Sequence, residues 1–119
     1  MFYMMCRAKI HGATVTEANL TYEGSITIDG TLLQEAGILP YEQVQIVNVN
    51  NGSRVATYAM EGKPNSGVVC MNGPAARWAQ PGDQIHILVY SPMESREAMA
   101  CKPVIVFVDG KNRITSKKG

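Results

Sequence analysis

The sequence predicts a small, mainly β domain, either a barrel or a sandwich. Short segments alternate apolar and polar residues with the period of a β-strand. Turn residues recur roughly every ten positions between these segments. The few helical patterns are short. The length of 119 residues favours a single domain that spans the whole chain.

The strands and helices are expected in the following order. Strands are predicted at residues 3–10, 13–16, 26–28, 43–49, 54–60, 68–71, 84–90 and 103–109, and the last is apolar enough for burial on both faces. A short helix is expected between Asp29, a suitable N-cap, and Gly37, a suitable C′ residue. A second should follow Asn72-Gly73-Pro74, and a third should follow Ser91, which has capping-box spacing to Glu94.

The connections are predicted from residues with special backbone preferences. His11-Gly12 indicates a bend or bulge, and residues 17–20 indicate a turn. Asn50–Ser53 predicts a hairpin with a type I′ turn, because Asn-Gly accepts two positive φ angles. The residues after Gly110 are expected to form a polar tail.

Residues 40–46 and 81–87 form a weak internal repeat. Each copy reads Pro, any residue, an acid, Gln, and then aliphatic residues two apart. Each is preceded by a predicted short helix. This pattern is typical of a barrel built from two related halves.

Composition and charge exclude several classes of function. The formal net charge is +1 and there is no basic stripe, which argues against binding to nucleic acid or to an anionic membrane. Cys6, Cys70 and Cys101 have no CxxC spacing, so we expect reduced thiols in a cytoplasmic protein. The two histidines are too few for a His-rich metal site. The apolar start, residues 1–6, is too short for a signal sequence.

Three polar side chains on predicted strands, Lys9, Arg54 and Tyr58, suggest an anion site. Arg54 and Tyr58 share one face of their strand, and Thr57 lies on the other. Lys9 shares a face with His11 on the first strand. Two cations and a phenol would suit a small dianion, since Arg binds carboxylates by a planar fork and Lys by a point charge.

The corner Tyr22-Glu23-Gly24-Ser25 allows two interpretations. Gly and Ser are common in turns between strands, so a structural corner is the simpler one. The alternative is that Ser25 attacks the Gly24 carbonyl and the chain cuts itself. A triad of Ser25, His11 and an acid is conceivable, but Ser25 lacks the GxSxG elbow of a hydrolase.

The sequence resembles the pyruvoyl-dependent aspartate 1-decarboxylases over about residues 4 to 109. The matching motifs are Lys9-Ile10-His11, Ala13–Thr16, Leu20 with Tyr22–Ser25, Asp29, Ala36-Gly37, Asn51-Gly52 with Arg54, Thr57-Tyr58-Ala59, Asn72-Gly73 and Pro81-Gly82-Asp83. Each motif is weak alone, and the set is specific. Members of this family make β-alanine from L-aspartate for pantothenate synthesis.

The resemblance implies a fold, an assembly and a cofactor. The fold would be a six-stranded double-psi β-barrel with short helices, assembled as a homotetramer with active sites between subunits. Cleavage between Gly24 and Ser25 would give a β chain of residues 1–24 and an α chain of residues 25–119. The cofactor would be a pyruvoyl group made from Ser25, without a metal or pyridoxal phosphate, and a maturation factor could assist its formation.

The resemblance also implies roles for individual residues. Ser25 would become the pyruvoyl group and form a Schiff base with the substrate amine. Thr57 would donate to the oxyanion formed on Gly24 during cleavage, and Tyr58 would be the proton donor in turnover. The expected substrate-binding residues are Arg54, Lys9, Asn72, Gly73, Ala75, Tyr22 and His11.

One departure from the family pattern keeps alternatives open. Pro74 stands where the family usually has Ala, and its missing N–H removes any contact made through that amide, while the Ala75 N–H is retained. A catalytically inactive relative, or a barrel that serves as a binding or assembly module with Gly24-Ser25 uncut, would also fit.

Overall fold

A computed structural model describes all of residues 1–119. Its strands are β1 Phe2–Thr14, β2 Glu17–Asn19, β3 Ser25–Asp29, β4 Gln43–Asn48, β5 Arg54–Gly62, β6 Val69–Asn72, β7 Gln84–Glu94, β8 Val104–Val108 and β9 Ile114–Lys118. Its helices are α1 Gly30–Ala36, a 3₁₀ helix at Gly73–Arg77, and α2 Ser95–Ala100. The expectation of a mainly β chain with short helices is confirmed.

The predictions of the ends of α1 and of the bulge in β1 are confirmed. The Thr31 N–H donates to Asp29 Oδ1 at 2.9 Å, and Gly37 ends the helix with a φ of 72°. The register of β1 against β7 shifts between His11 and Ala13, as expected for a bulge. The predicted strands 3–10 and 13–16 are therefore largely one bulged strand.

The predicted type I′ turn between β4 and β5 is wrong. Of its two central residues, only Gly52 has a positive φ, at 74°. Asn48 Oδ1 accepts from the Asn50 N–H at 2.8 Å, and the Gly52 N–H donates to the Asn48 carbonyl at 2.9 Å. A side-chain acceptor at the end of β4 thus stabilises a longer connection.

Pairing with distant strands overrides three other local expectations. Residues 17–19 form β2 instead of a turn because they pair with β6. Ser91–Glu94 extend β7 because they pair with the start of β1, so no capping box forms and α2 begins at Ser95. The polar tail forms β9 against β8. In β8 only Val106 is fully buried, so burial on both faces is also wrong.

The nine strands follow the order β2-β6-β3-β5-β4-β7-β1-β8-β9, and the ladder does not close into a ring. Additional backbone bonds nevertheless bring the end of β1 towards β6: the Thr16 N–H donates to the Val69 carbonyl at 2.8 Å. The core is made of aliphatic side chains from β1, β3, β4, β6, β7 and α1, with Ile10, Ile46 and Ile87 among the fully buried ones.

The two copies of the internal sequence repeat also share the same local structure. Glu42 Oε1 accepts from the Leu39 N–H at 3.0 Å, and the equivalent Asp83 Oδ2 accepts from the Gln80 N–H at 3.1 Å. The following strands, β4 and β7, pair antiparallel with Ile46 opposite Ile87, which are themselves equivalent in the repeat. The two copies are therefore related by a local twofold axis through this pair.

Candidate active site

The centre of the site is one face of the pair β3 and β6. The strands run antiparallel, with Ser25 opposite Asn72 and Thr27 opposite Cys70. Alternate residues of a strand share a face, so these four polar side chains lie together. Asn72 Nδ2 donates to Ser25 Oγ at 3.1 Å and to Thr27 Oγ1 at 2.9 Å. The structure thus brings together two of the predicted site residues, Ser25 and Asn72.

Ser25 has a strained backbone at the predicted cleavage point. Its φ is 140°, in a region that L residues other than glycine rarely adopt, and its side chain is only 2% exposed. Such a conformation costs on the order of 1–3 kcal/mol and persists only where the surrounding structure enforces it. Pairing with Asn72 and the bond to Oγ enforce it here.

The strain at Ser25 can be measured with two uncleavable variants. Because glycine accepts this φ and alanine does not, we expect Ser25→Gly to have a free energy of unfolding about 1–2 kcal/mol above that of Ser25→Ala. Chemical denaturation of both proteins measures the difference. An alanine variant at least as stable as the glycine variant would show that Ser25 is not strained.

Gly24 and Ser25 open onto a small cavity of about 200 Å³. Its other lining residues are Val55, Ala56, Thr57, Pro74, Ala75 and Trp78. Thr57 is on the side of β5 that faces this cavity, whereas Tyr58 is on the opposite side. The structure therefore brings Thr57 and Ala75 to the predicted cleavage point, with Thr57 and Tyr58 on opposite sides of β5 as their alternation predicts.

Gly73 holds the corner before Ser25 in place by close backbone packing. It has a φ of 60°, and a Cβ at this position would lie 2.8 Å from the Tyr22 carbonyl oxygen and 3.0 Å from Gly24 Cα. Any larger residue would push residues 22–24 away from the 3₁₀ helix. The Tyr22 side chain is 54% exposed, so its backbone, and not its ring, makes this contact.

The remaining predicted site residues lie on a different surface, which we call the outer face. Arg54 and Tyr58 are exposed there on β5, and Arg54 Nη1 donates to Gln45 Oε1 at 2.7 Å. Lys9 pairs with Leu88, and Leu88 pairs with Gln45, so Lys9 is on the same face. Lys9, Arg54 and Tyr58 do not line the Gly24–Ser25 cavity.

His11, also on the outer face, stacks on His86. The ring centroids are 4.0 Å apart, and Phe107 packs against His11 at 5.2 Å. The Gly12 N–H donates to His86 Nδ1 at 3.0 Å. Burial and the neighbouring positive charges of His11 and Lys9 lower the pKa of His86 to about 4, and burial and Lys9 lower the pKa of His11. Both rings are therefore neutral at pH 7.

This stack predicts a pH-dependent stability. The pKa of His86 rises to its ordinary value of 6.5 on unfolding, so the stability that depends on its neutral form is complete above pH 6.5 and is lost as the pH falls towards about 4. We expect the difference in Tm between the wild type and His86→Gln to shrink across this interval. Thermal unfolding at half-unit steps measures it, and a constant difference would contradict the prediction.

The sequence interpretation missed four residues of this region. Thr27 and Cys70 contact Asn72, Trp78 lines the cavity, and His86 supports His11. The alternation of Ser25 with Thr27 and of Cys70 with Asn72 was a visible signal. It could not be used without knowing that β3 pairs with β6.

No helix in the structure combines the length and the apolar character that crossing a membrane would require. The fold and the site define a small β protein with a strained, buried serine, Ser25, that follows Gly24 beside a cavity. The aspartate decarboxylase family model matches residues 1–115. The chain belongs to this family.

Curated relatives are similar in sequence to this chain over nearly its whole length. An aspartate 1-decarboxylase from Pelotomaculum thermopropionicum is 54% identical over 114 residues, which cover 96% of this chain and 86% of the relative. One from Carboxydothermus hydrogenoformans is 53% identical, covering 99% of this chain and 93% of the relative. One from Moorella thermoacetica is 52% identical, covering 100% and 94%.

Proposed function

We propose that this protein is a self-processing enzyme that converts L-aspartate to β-alanine and CO2, the activity that supplies β-alanine for pantothenate synthesis. The observation that carries the proposal is the strained, buried Ser25, whose Oγ is hydrogen-bonded beside Gly24 at a cavity. The names of relatives that are 52–54% identical support aspartate as the substrate. Three free cysteines fit a reducing, cytoplasmic location.

The residues around Ser25 fit a pyruvoyl group made from that serine. Once formed, this group supplies an electron sink for the carbanion that remains when CO2 leaves. The cavity gives the new chain end room for a small substrate, and the strain at φ 140° is relieved when the bond to Gly24 breaks.

Self-cleavage requires a nucleophile, a sterically accessible carbonyl group and a hydrogen-bond donor to the oxyanion. Ser25 Oγ attacks the Gly24 carbonyl carbon, and Gly24 has no side chain to obstruct the approach. The Thr57 hydroxyl, on the cavity side of β5, donates to the carbonyl oxygen as negative charge develops on it. The carbonyl carbon then transfers from the Ser25 nitrogen to Oγ.

Substrate binding and turnover use three polar residues of the outer face. Arg54 binds a carboxylate of aspartate, Lys9 adds positive potential, and Tyr58 returns a proton to the α-carbon. Asn72, Gly73 and the Ala75 N–H position the substrate at the start of the 3₁₀ helix, whereas Pro74 offers no N–H. Tyr22 and His11 line the site.

None of Arg54, Tyr58 and Lys9 lines the Gly24–Ser25 cavity of its own chain, so they serve the same substrate as Ser25 only if β5 curls or if they come from a neighbouring chain. Arg54 and Tyr58 are four residues apart, about 13 Å along β5, and Lys9 is three strands away, about 14 Å. We therefore propose that the outer face of one subunit closes the Gly24–Ser25 cavity of its neighbour, in a homotetramer. The twofold relation of β4 and β7 supports a six-stranded double-psi barrel as the core of each subunit.

The direct test is to follow purified, freshly made protein on a denaturing gel and by intact mass during prolonged warming. We expect two fragments, residues 1–24 and 25–119, with a keto group in place of the amine at the start of the larger one. Cleavage that occurs only after addition of a cell extract would indicate a maturation factor. A chain that stays intact under both conditions would refute the proposal.

A subunit-mixing experiment tests the shared site. Ser25→Ala and Arg54→Ala homo-oligomers should each be inactive, while co-expressed chains should recover activity, because mixed assemblies contain sites with one intact Ser25 and one intact Arg54 from different chains. Release of CO2 from aspartate measures the recovery. If mixed oligomers form but stay inactive, both residues must come from the same chain.

A further inference from the structure

We propose that Cys70 is a positioning residue for self-cleavage, because its thiol fixes the orientation of the Asn72 amide on Ser25 Oγ. This inference rests on the proposed function. Cys70 Sγ donates to Asn72 Oδ1 at 3.1 Å, and Asn72 Nδ2 donates to Ser25 Oγ at 3.1 Å. The three side chains thus form one directed chain of hydrogen bonds that ends on the nucleophile.

The thiol decides which way the amide points. An Asn amide can present either its oxygen or its NH2 group, and its neighbours determine the choice. Ser25 and Thr27 offer hydroxyls, which accept or donate equally well, so they do not select an orientation. Cys70 does, because its protonated thiol has one S–H to donate, and Asn72 Oδ1 at 3.1 Å is its shortest contact. Oδ1 therefore faces Cys70, and both Nδ2 protons face the hydroxyls.

The surroundings keep Cys70 in its donor form. Its side chain is 7% exposed, and its other sulfur contacts, Glu17 Oε2 and the Met71 carbonyl, are longer, at 3.9 Å each. Burial, assisted by the Glu17 carboxylate, raises the pKa of the thiol, so it retains its proton. A protonated, buried thiol with one short contact is suited to hold an acceptor and not to react.

A donor fixed on Oγ assists both covalent steps of processing. In the first, Oγ bonds to the Gly24 carbonyl carbon, the C–N bond breaks, and the hydroxyl proton ends on the freed Ser25 nitrogen. In the second, the Ser25 Cα loses its proton and the Cβ–Oγ bond breaks, leaving Oγ in the Gly24 carboxylate. Water then replaces the nitrogen, which leaves as ammonia. In the first step the bond from Asn72 Nδ2 holds Oγ in position, and in the second step it stabilises the negative charge that develops on Oγ as the Cβ–Oγ bond breaks.

The test compares three variants in freshly made precursor. Cys70→Val removes the donor at nearly the same volume, Cys70→Ser replaces the thiol by another donor, and Cys101→Ala removes a thiol that does not contact Asn72. The rate of fragment formation is read on a denaturing gel and by intact mass. We expect Cys70→Val to cleave about tenfold more slowly, as for loss of one hydrogen bond. Cys70→Ser and Cys101→Ala should cleave within about twofold of the wild type.

A second measurement covers the case in which Cys70→Val folds poorly. In uncleavable Ser25→Ala protein, the side-chain NH2 resonance of Asn72 should move when Cys70→Val is added and return towards its position with Cys70→Ser. If the wild type cleaves and Cys70→Val cleaves at the same rate, this inference is wrong while the proposed function still stands. Absence of cleavage in the wild type would instead overturn the proposed function, and an unmoved Asn72 resonance would still show that the thiol does not orient the amide.

Discussion

Ser25→Ala is expected to leave one uncut chain that releases no CO2 from aspartate. The substitution removes Oγ, which is both the atom that attacks the Gly24 carbonyl carbon and the group whose elimination from the Ser25 Cβ leads to the pyruvoyl ketone. Folding should survive, because Asn72 Nδ2 keeps its bond to Thr27 Oγ1 and the backbone pairing of β3 with β6 does not involve the hydroxyl. The gel, the intact mass and CO2 release measure the two losses separately.

The matched control for this variant is Ser95→Ala. Ser95 is exposed at the start of α2 and does not line the cavity, and its hydroxyl makes no hydrogen bond. We expect it to cleave and turn over as the wild type does. If Ser25→Ala retained decarboxylation, the pyruvoyl mechanism would be wrong, whatever the state of the chain.

Thr57→Val and Tyr58→Phe are expected to separate processing from turnover. The two residues are adjacent in sequence but lie on opposite sides of β5, with Thr57 at the Gly24–Ser25 cavity and Tyr58 on the outer face. Thr57→Val should slow cleavage by about 10²–10³-fold, as for loss of an oxyanion donor. Tyr58→Phe should cleave normally and then decarboxylate about 10²–10⁴-fold more slowly, as for loss of a general acid.

Both rates can be measured on each protein, with cleavage followed by gel and turnover followed by CO2 release per cleaved chain. Tyr41→Phe is the control for loss of a phenol, since Tyr41 is 73% exposed and lies outside the cavity. The assignment of stages fails if Tyr58→Phe blocks cleavage, or if Thr57→Val cleaves at the normal rate.

Local signals predicted those parts of the fold that depend on neighbouring residues. Asp29 and Gly37 bound α1 through contacts within a few residues, and the acids of the repeat, Glu42 and Asp83, each close a turn on the N–H three residues earlier. The predictions failed where a distant strand competes. Ser91–Glu94 has the spacing of a helix start, yet pairing with the start of β1 holds it extended.

In the candidate site, too, some features were predictable from the sequence, and others depend on how distant strands pair. Residue types and spacing identified the family and predicted Ser25 as the centre of the site, and alternation along β5 separated Thr57 from Tyr58. No local pattern contained the φ of 140° at Ser25, the contact between Cys70 and Asn72, or the stacking of His11 on His86. The register of β3 on β6 and of β1 on β7 creates these features, because cross-strand pairing joins residues that are distant in the chain.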